Sequence, residues 1–183
     1  MTLPLTGTYT LIVNSAKAKE SGSYVLSWRE ATERDIALAE AKRLNQQAAD
    51  LHQQGKYNEA IPLAEQVLAI RKKVLGDNNR LTADSLNNLA GLYRVQGRYS
   101  EAEPLLKQAL TIRKQQLGDN HPDTAQSLNN LALLYQSQGR YSEAEPLLKQ
   151  ALAIRKKQLG DNHPDTATSL NSLAALYYSQ GRY

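Results

Sequence analysis

Residues 117–125 read LGDNHPDTA, and the same nine letters return at 159–167. A histidine, two aspartates and an asparagine lie within reach of one another, a set that could ligate a cation or work as a general acid and base. A looser version, LGDNNRLTA, occupies 75–83, and both spacings are 42 residues. Chemistry that recurs at a fixed period belongs to a structural unit, so the unit decides what these side chains can do.

In register, residues 43–84, 85–126 and 127–168 are three copies of one unit, and 169–183 begin a fourth. Such a period is the mark of a solenoid. The second and third copies differ at six positions: 91/133, 94/136, 95/137, 111/153, 115/157 and 126/168. Leu86, Leu89, Ala90 and Tyr93 recur at i, i+3, i+4 and i+7, the apolar stripe of an amphipathic helix A that Gly97 should end. Ser100 and Glu103 have capping-box spacing and predict the start of helix B, with Pro104 still in its opening turn. Leu105, Leu106, Ala109, Leu110 and Ile112 continue its apolar face, Arg113 and Lys114 suit the negative end of the helix dipole, and Gly118 stops it.

The nine-residue stretch then reads as punctuation. Gly118 closes helix B, Asp119 and Asn120 turn the chain, and Pro122 opens the next helix A. Equivalent loops stand two helices apart, more than about 10 Å at ordinary helix spacing, so His121 and His163 should not share an ion. His52 stands alone on the first helix A and reads as a surface histidine. No metal and no cofactor are expected.

Composition narrows the classes further. The chain has 183 residues, 41% of them apolar, a net charge of +4 and no cysteine, which excludes disulfides, thiolate metal sites and cysteine nucleophiles. Apolar runs fall far short of the roughly 18 residues of a membrane span. The basic runs at 71–73, 113–114 and 155–157 end each helix B without interleaved aromatics, so the dipole accounts for them and no nucleic-acid partner is expected. With no phosphate loop or nucleophile elbow, and with Glu101 and Glu103 repeating as capping and solvated groups, the chain does not read as an enzyme.

The series Leu86, Leu89, Ala90, Tyr93, Gly97, Tyr99, Ala102, Leu106 and Ala109 resembles the tetratricopeptide signature, and the long helix B running into IRKQQLGDNHPDTA resembles the 42-residue kinesin light chain-type variant. The resemblance covers 43–183. The first copy departs from it, with Gln47 for Leu89, Leu51 for Tyr93 and DNNR for DNHP, as terminal repeats often do. The fold expected is an all-α, right-handed α-solenoid of helix-turn-helix repeats behind a short β-hairpin. The resemblance implies a groove, lined by helix A, that binds peptides.

Ahead of the repeats, 6–15 and 22–29 alternate apolar and polar residues and predict a hairpin joined by AKAKESG. This stretch, within residues 1–30, resembles the end of a bacterial pre-peptidase C-terminal β-sandwich. Residues 31–42 are expected to lead helically into the first repeat. Both ends read as cut from a longer protein, leaving Leu170, Leu173, Leu176 and Tyr177 uncovered for self-association.

At 100° per residue, Asp84, Asn87, Asn88, Gly91, Arg94 and Val95 fall opposite the apolar stripe and are expected to face the groove. Asn45, Asn87, Asn129 and Asn171 repeat at one such position, and Gln46, Asn88, Asn130 and Ser172 at the next. One reading is an amide ladder for a peptide backbone; the other is hydrogen bonding between neighbouring helices A. Three of the six differences between copies, and all three in the fourth helix, fall on this side, so Arg94, Gln136 and Tyr178 are expected to vary specificity. The function expected is a protein-interaction scaffold for extended peptides, located in the cytoplasm. A regulatory segment of a larger enzyme such as a caspase-like protease, or a structural spacer, are the alternatives.

Overall fold

The computed structural model describes residues 9–14 and 25–182. Strands β1 (Tyr9–Asn14) and β2 (Val25–Glu30) pair antiparallel, with Leu11 opposite Trp28 and Val13 opposite Leu26. This is the hairpin that the alternation predicts; its AKAKESG connection lies outside the described residues. Seven helices follow among the described residues: α1 (Glu33–Gln53), α2 (Tyr57–Leu75), α3 (Arg80–Val95), α4 (Tyr99–Leu117), α5 (Pro122–Ser137), α6 (Tyr141–Leu159) and α7 (Pro164–Ser179).

Odd-numbered helices are helix A and even-numbered ones helix B of a helical-repeat solenoid. Each packs on its chain neighbours, and α3 also reaches α5 as α5 reaches α7, so the A helices stand side by side. The stripe Leu86, Leu89, Ala90 and Tyr93 is buried: Leu89, Ala90 and Tyr93 with their copies on α5 join Ala102, Leu106, Ala144 and Leu148 of the B helices in one core, while Leu86 packs with Ala83, Ala109 and Ile112 in a second cluster. Leu176 of α7 is buried in the first core too, Leu173 packs against it and Tyr177 is half-buried, corrections to their expected exposure, while Leu170 is exposed.

The lead-in and the first helix A form one continuous helix. Thr32 starts it with a capping box: its hydroxyl accepts from the Asp35 N–H (3.2 Å), and its own N–H donates to Asp35 Oδ2 (2.9 Å). At Ser100 and Glu103 no such box forms. The A-to-B turn is a Schellman motif in which Gly97 takes φ 73°, its N–H donates to the Arg94 carbonyl and the Arg98 N–H donates to that of Tyr93. That turn starts α4 at Tyr99, capped by the Arg98 backbone alone, so Ser100 is already inside the helix. Pro104 therefore lies beyond the opening turn, and the Ser100 carbonyl loses its usual i+4 donor.

Candidate interaction surface

The B-to-A loop serves structure at nearly every residue. Gly118 ends α4 at φ 86°, and its carbonyl accepts from the buried Thr124 hydroxyl six residues on (2.8 Å). Thr82 and Thr166 repeat this bond to Gly76 and Gly160. Asp119 pairs with Lys114 at 3.1 Å. His121 is the N-cap of α5: its Nδ1 accepts from the Asp123 N–H at 3.1 Å, as His163 does for Asp165, and Pro122 is the first helical residue. In the first copy the Asn79 Oδ1 caps α3 in the same way. Among the described residues no three His, Cys, Asp or Glu side chains are grouped to hold a metal. His52 is exposed and tilts against the Tyr57 ring.

Two features that spacing assigned to the solvated surface are seams between repeats. Arg113 is only 7% exposed and Arg155 1%, so the helix dipole does not account for them. Arg113 Nη1 donates to the Asp123 carbonyl (2.7 Å) and to the Ser127 hydroxyl (3.1 Å), and Nη2 donates to Asp84 Oδ1 (2.7 Å). Arg155 holds the Asp165 carbonyl, Ser169 and Gln126 in the same pattern, and Arg71 holds Leu81 and Ser85. Each arginine thus binds the last turn of one helix B to the first turn of the next helix A.

Glu103, expected as a capping and solvated group, is the second seam. It accepts from the Tyr135 hydroxyl (3.3 Å) and from Arg140 Nη1 (2.8 Å), while the Arg140 guanidinium lies 4.0 Å from the centre of the Tyr135 ring. Glu145, the periodic copy of Glu103, accepts from Tyr177 and Arg182, and in the first seam Glu65, four residues on from the corresponding Ile61, accepts from Tyr93. Lys149, then Arg182 and Tyr177, hydrogen-bond the Glu145 carboxylate and hold it down at about 2. Burial, reinforced by Glu65, pushes the Tyr93 hydroxyl up to about 12. The signal for both seams was present in the sequence as the shared period of Arg, Ser and Tyr, and of Glu103 with Glu145.

The predicted groove residues divide by exposure. Asn87 is 6% exposed; its Nδ2 donates to the Ala83 carbonyl (3.0 Å) and the Ser127 hydroxyl (3.3 Å), and its Oδ1 accepts from Asn130 Nδ2 (3.3 Å). Asn88 is exposed and donates to Asn45 Oδ1 (3.2 Å). These are rungs from each helix A to the one before it. At the next step Ser172 stands where Asn88 and Asn130 stood, and its hydroxyl donates back to the Thr168 carbonyl. Asn129, 2% exposed, is left with an Oδ1 that has no donor. Arg94 and Gln136 are half-buried, Gln136 donating to the Ser179 hydroxyl (3.1 Å), Asn171 is exposed, and Tyr178 is 75% exposed. Hollows open on this side between α1 and α3 and between α3 and α5.

Stacked helix pairs packed on buried apolar clusters, with an arginine seam and a tyrosine–glutamate seam recurring between repeats, define a helical-repeat protein. The tetratricopeptide repeat profile matches residues 39–115, 82–157 and 123–183, and the chain belongs to that family. It is similar to the solved structure of a Podosopora anserina kinesin light chain-type protein of nearly identical TPR-like repeats, at 35% identity and a TM-score of 0.70, over 77% of this chain and 67% of that one. BtubC (BKLC) from P. vanneervenii shares the fold at 24% identity and a TM-score of 0.71, this chain covering 59% of its length. None of the curated proteins matches. No described helix is long and apolar enough to cross a membrane.

Proposed function

We propose that the chain is a protein-interaction module that binds an extended peptide segment across the outer faces of its A helices. The observation that carries this reading is the pair of hollows on the A side, each lined by side chains of two successive A helices. A segment lying across the helices would meet one such step after another. Within this reading the flanking positions do the recognition: exposed Asn88 and Tyr178, and half-buried Arg94, Asn130 and Gln136. The Asn87 side chain, bonded on both sides, braces the helices that present them.

The test is selection of ligands from a random displayed peptide library on the full chain, then titration against Arg94→Ala, Gln136→Ala and Tyr178→Ala with thermal unfolding in parallel. Weakened binding at unchanged melting temperature supports the reading. Binding indifferent to all three, or abolished by substitutions on the outer faces of the B helices, would overturn it.

A further inference from the structure

We propose that Gly91 forms the anchor point of this groove, where a leucine-like side chain of the bound segment occupies the space that a leucine fills in the next repeat. The inference rests on the groove reading above and adds to it the place and chemistry of the anchor. Gly91 lies inside α3, where glycine is among the poorest helix formers. The corresponding positions are Ala49 on α1, Leu133 on α5 and Ala175 on α7. Crowding does not demand a glycine, because a Cβ built there would meet nothing within 4 Å.

What the missing side chain creates is space. Between α1 and α3 lies a hollow of about 240 Å³ with Ala48, Ala64 and Leu92 in its wall, and between α3 and α5 a smaller one of about 90 Å³. Gly91 and Asn87 line both, so the two flank α3 at the one residue without a side chain. An extended backbone can approach a helix most closely at such a point.

The surrounding chemistry fits a peptide with an aliphatic residue. Asn88 Nδ2 and Asn45 Oδ1 are spent on each other, which leaves the Asn45 Nδ2 donor and the Asn88 Oδ1 acceptor for a backbone carbonyl and N–H. One turn beyond Gly91, the half-buried Arg94 has no ion-pair partner among the described residues and lines the second hollow. Of its counterparts, Gln136 and Tyr178 carry no positive charge, and His52 of the first repeat lines the other hollow. The occupant is therefore an extended segment of a partner protein with an aliphatic side chain beside an aspartate or glutamate.

The experiment selects peptides from a random displayed library on the full wild-type chain and titrates the synthesised winners against Gly91→Ala, Gly91→Leu and Arg94→Gln. Winners should share an aliphatic residue next to an acidic one. Affinity should fall from wild type to the alanine variant and by about tenfold or more at leucine, while the melting temperature holds or rises. Arg94→Gln should erase the preference for a winner over its Asp→Asn or Glu→Gln twin. Should Gly91→Leu not fold, the alanine variant decides alone. Undiminished binding to the Gly91 variants overturns this inference and leaves the groove reading standing if Gln136→Ala or Tyr178→Ala still weakens the same peptides. Absence of any winner, or winners indifferent to every substitution on the A side, overturns both.

Discussion

Asn87 and Asn129 are the same residue at the same place in two nearly identical repeats, and they meet different fates. Asn87 Oδ1 accepts from Asn130 of the following repeat, whereas Asn129 Oδ1 is buried without a donor because the following repeat offers Ser172. The arginine seams differ in the same manner: Arg113 reaches the carboxylate of Asp84, Arg155 the neutral amide of Gln126. In a solenoid the role of a side chain is completed by its neighbour one repeat away. Identity between two copies therefore does not make their environments identical.

The comparison can be broken most severely at the buried seam. Arg113→Ala removes three hydrogen bonds, one to a carboxylate, and leaves a cavity, so it should cost about 3 kcal/mol in chemical denaturation. The adjacent Lys114→Ala, which loses only an exposed pair with Asp119, should cost less than about 0.5 kcal/mol. Equal losses would refute the distinction between seam and surface.

The rung offers a smaller and reciprocal test. Ser172→Asn should supply Asn129 with its donor and stabilise the chain by about 0.5–1.5 kcal/mol, while Asn130→Ser should remove a comparable amount by opening the rung to Asn87. If Ser172→Asn changes nothing, the orphaned oxygen is satisfied in some other way.

Acid should then discriminate among the glutamate seams. The folded Glu145 carboxylate titrates at about 2 against an ordinary 4.5, so its contribution is fully present above 4.5 and is lost as the pH falls through about 2. Glu145→Gln should flatten that part of a melting-temperature profile taken between these two values. The smallest effect belongs to the loop histidines. His121→Asn with His163→Asn should shift stability by no more than about 0.5 kcal/mol, since Asn79 already caps α3 in the same geometry. Stoichiometric zinc bound to the wild type and lost in that double variant would overturn the capping assignment.

The period, the two helices of each unit, the terminating glycines and the hairpin were legible because they depend on residues close in sequence. Arg113 and Glu103 were not, Asn87 stayed between a ligand ladder and a bond between helices A, and the reason is separation along the chain. Arg113 and Asp84 lie 29 residues apart, Tyr135 and Glu103 lie 32 apart, and Asn130 and Asn87 lie 43 apart. An arginine after an isoleucine near a helix end, or a glutamate before a proline, looks solvated until the next repeat covers it. The capping box failed for a local reason: Ser100-x-x-Glu103 has the right spacing, but the glycine turn before it had already started the helix. Of the candidate groove, the face was readable, while the split between bracing and exposed amides depended on burial.

The arginine, serine and tyrosine of the seams recur with the 42-residue period, as does Glu103 at Glu145, whereas Asp84 gives way to Gln126 and the first seam uses Glu65, where the next repeat has Lys107. A block of that length copied in tandem from the second and third repeats, wherever its boundaries fall, carries both halves of a seam, and the new junction keeps the arginine–serine and tyrosine–glutamate contacts of the old ones. Such an array can gain or lose a unit in one genetic event without evolving a new interface. The helix faces that no seam uses, where positions 91, 94 and 95 already differ from 133, 136 and 137, are then free to diverge one repeat at a time.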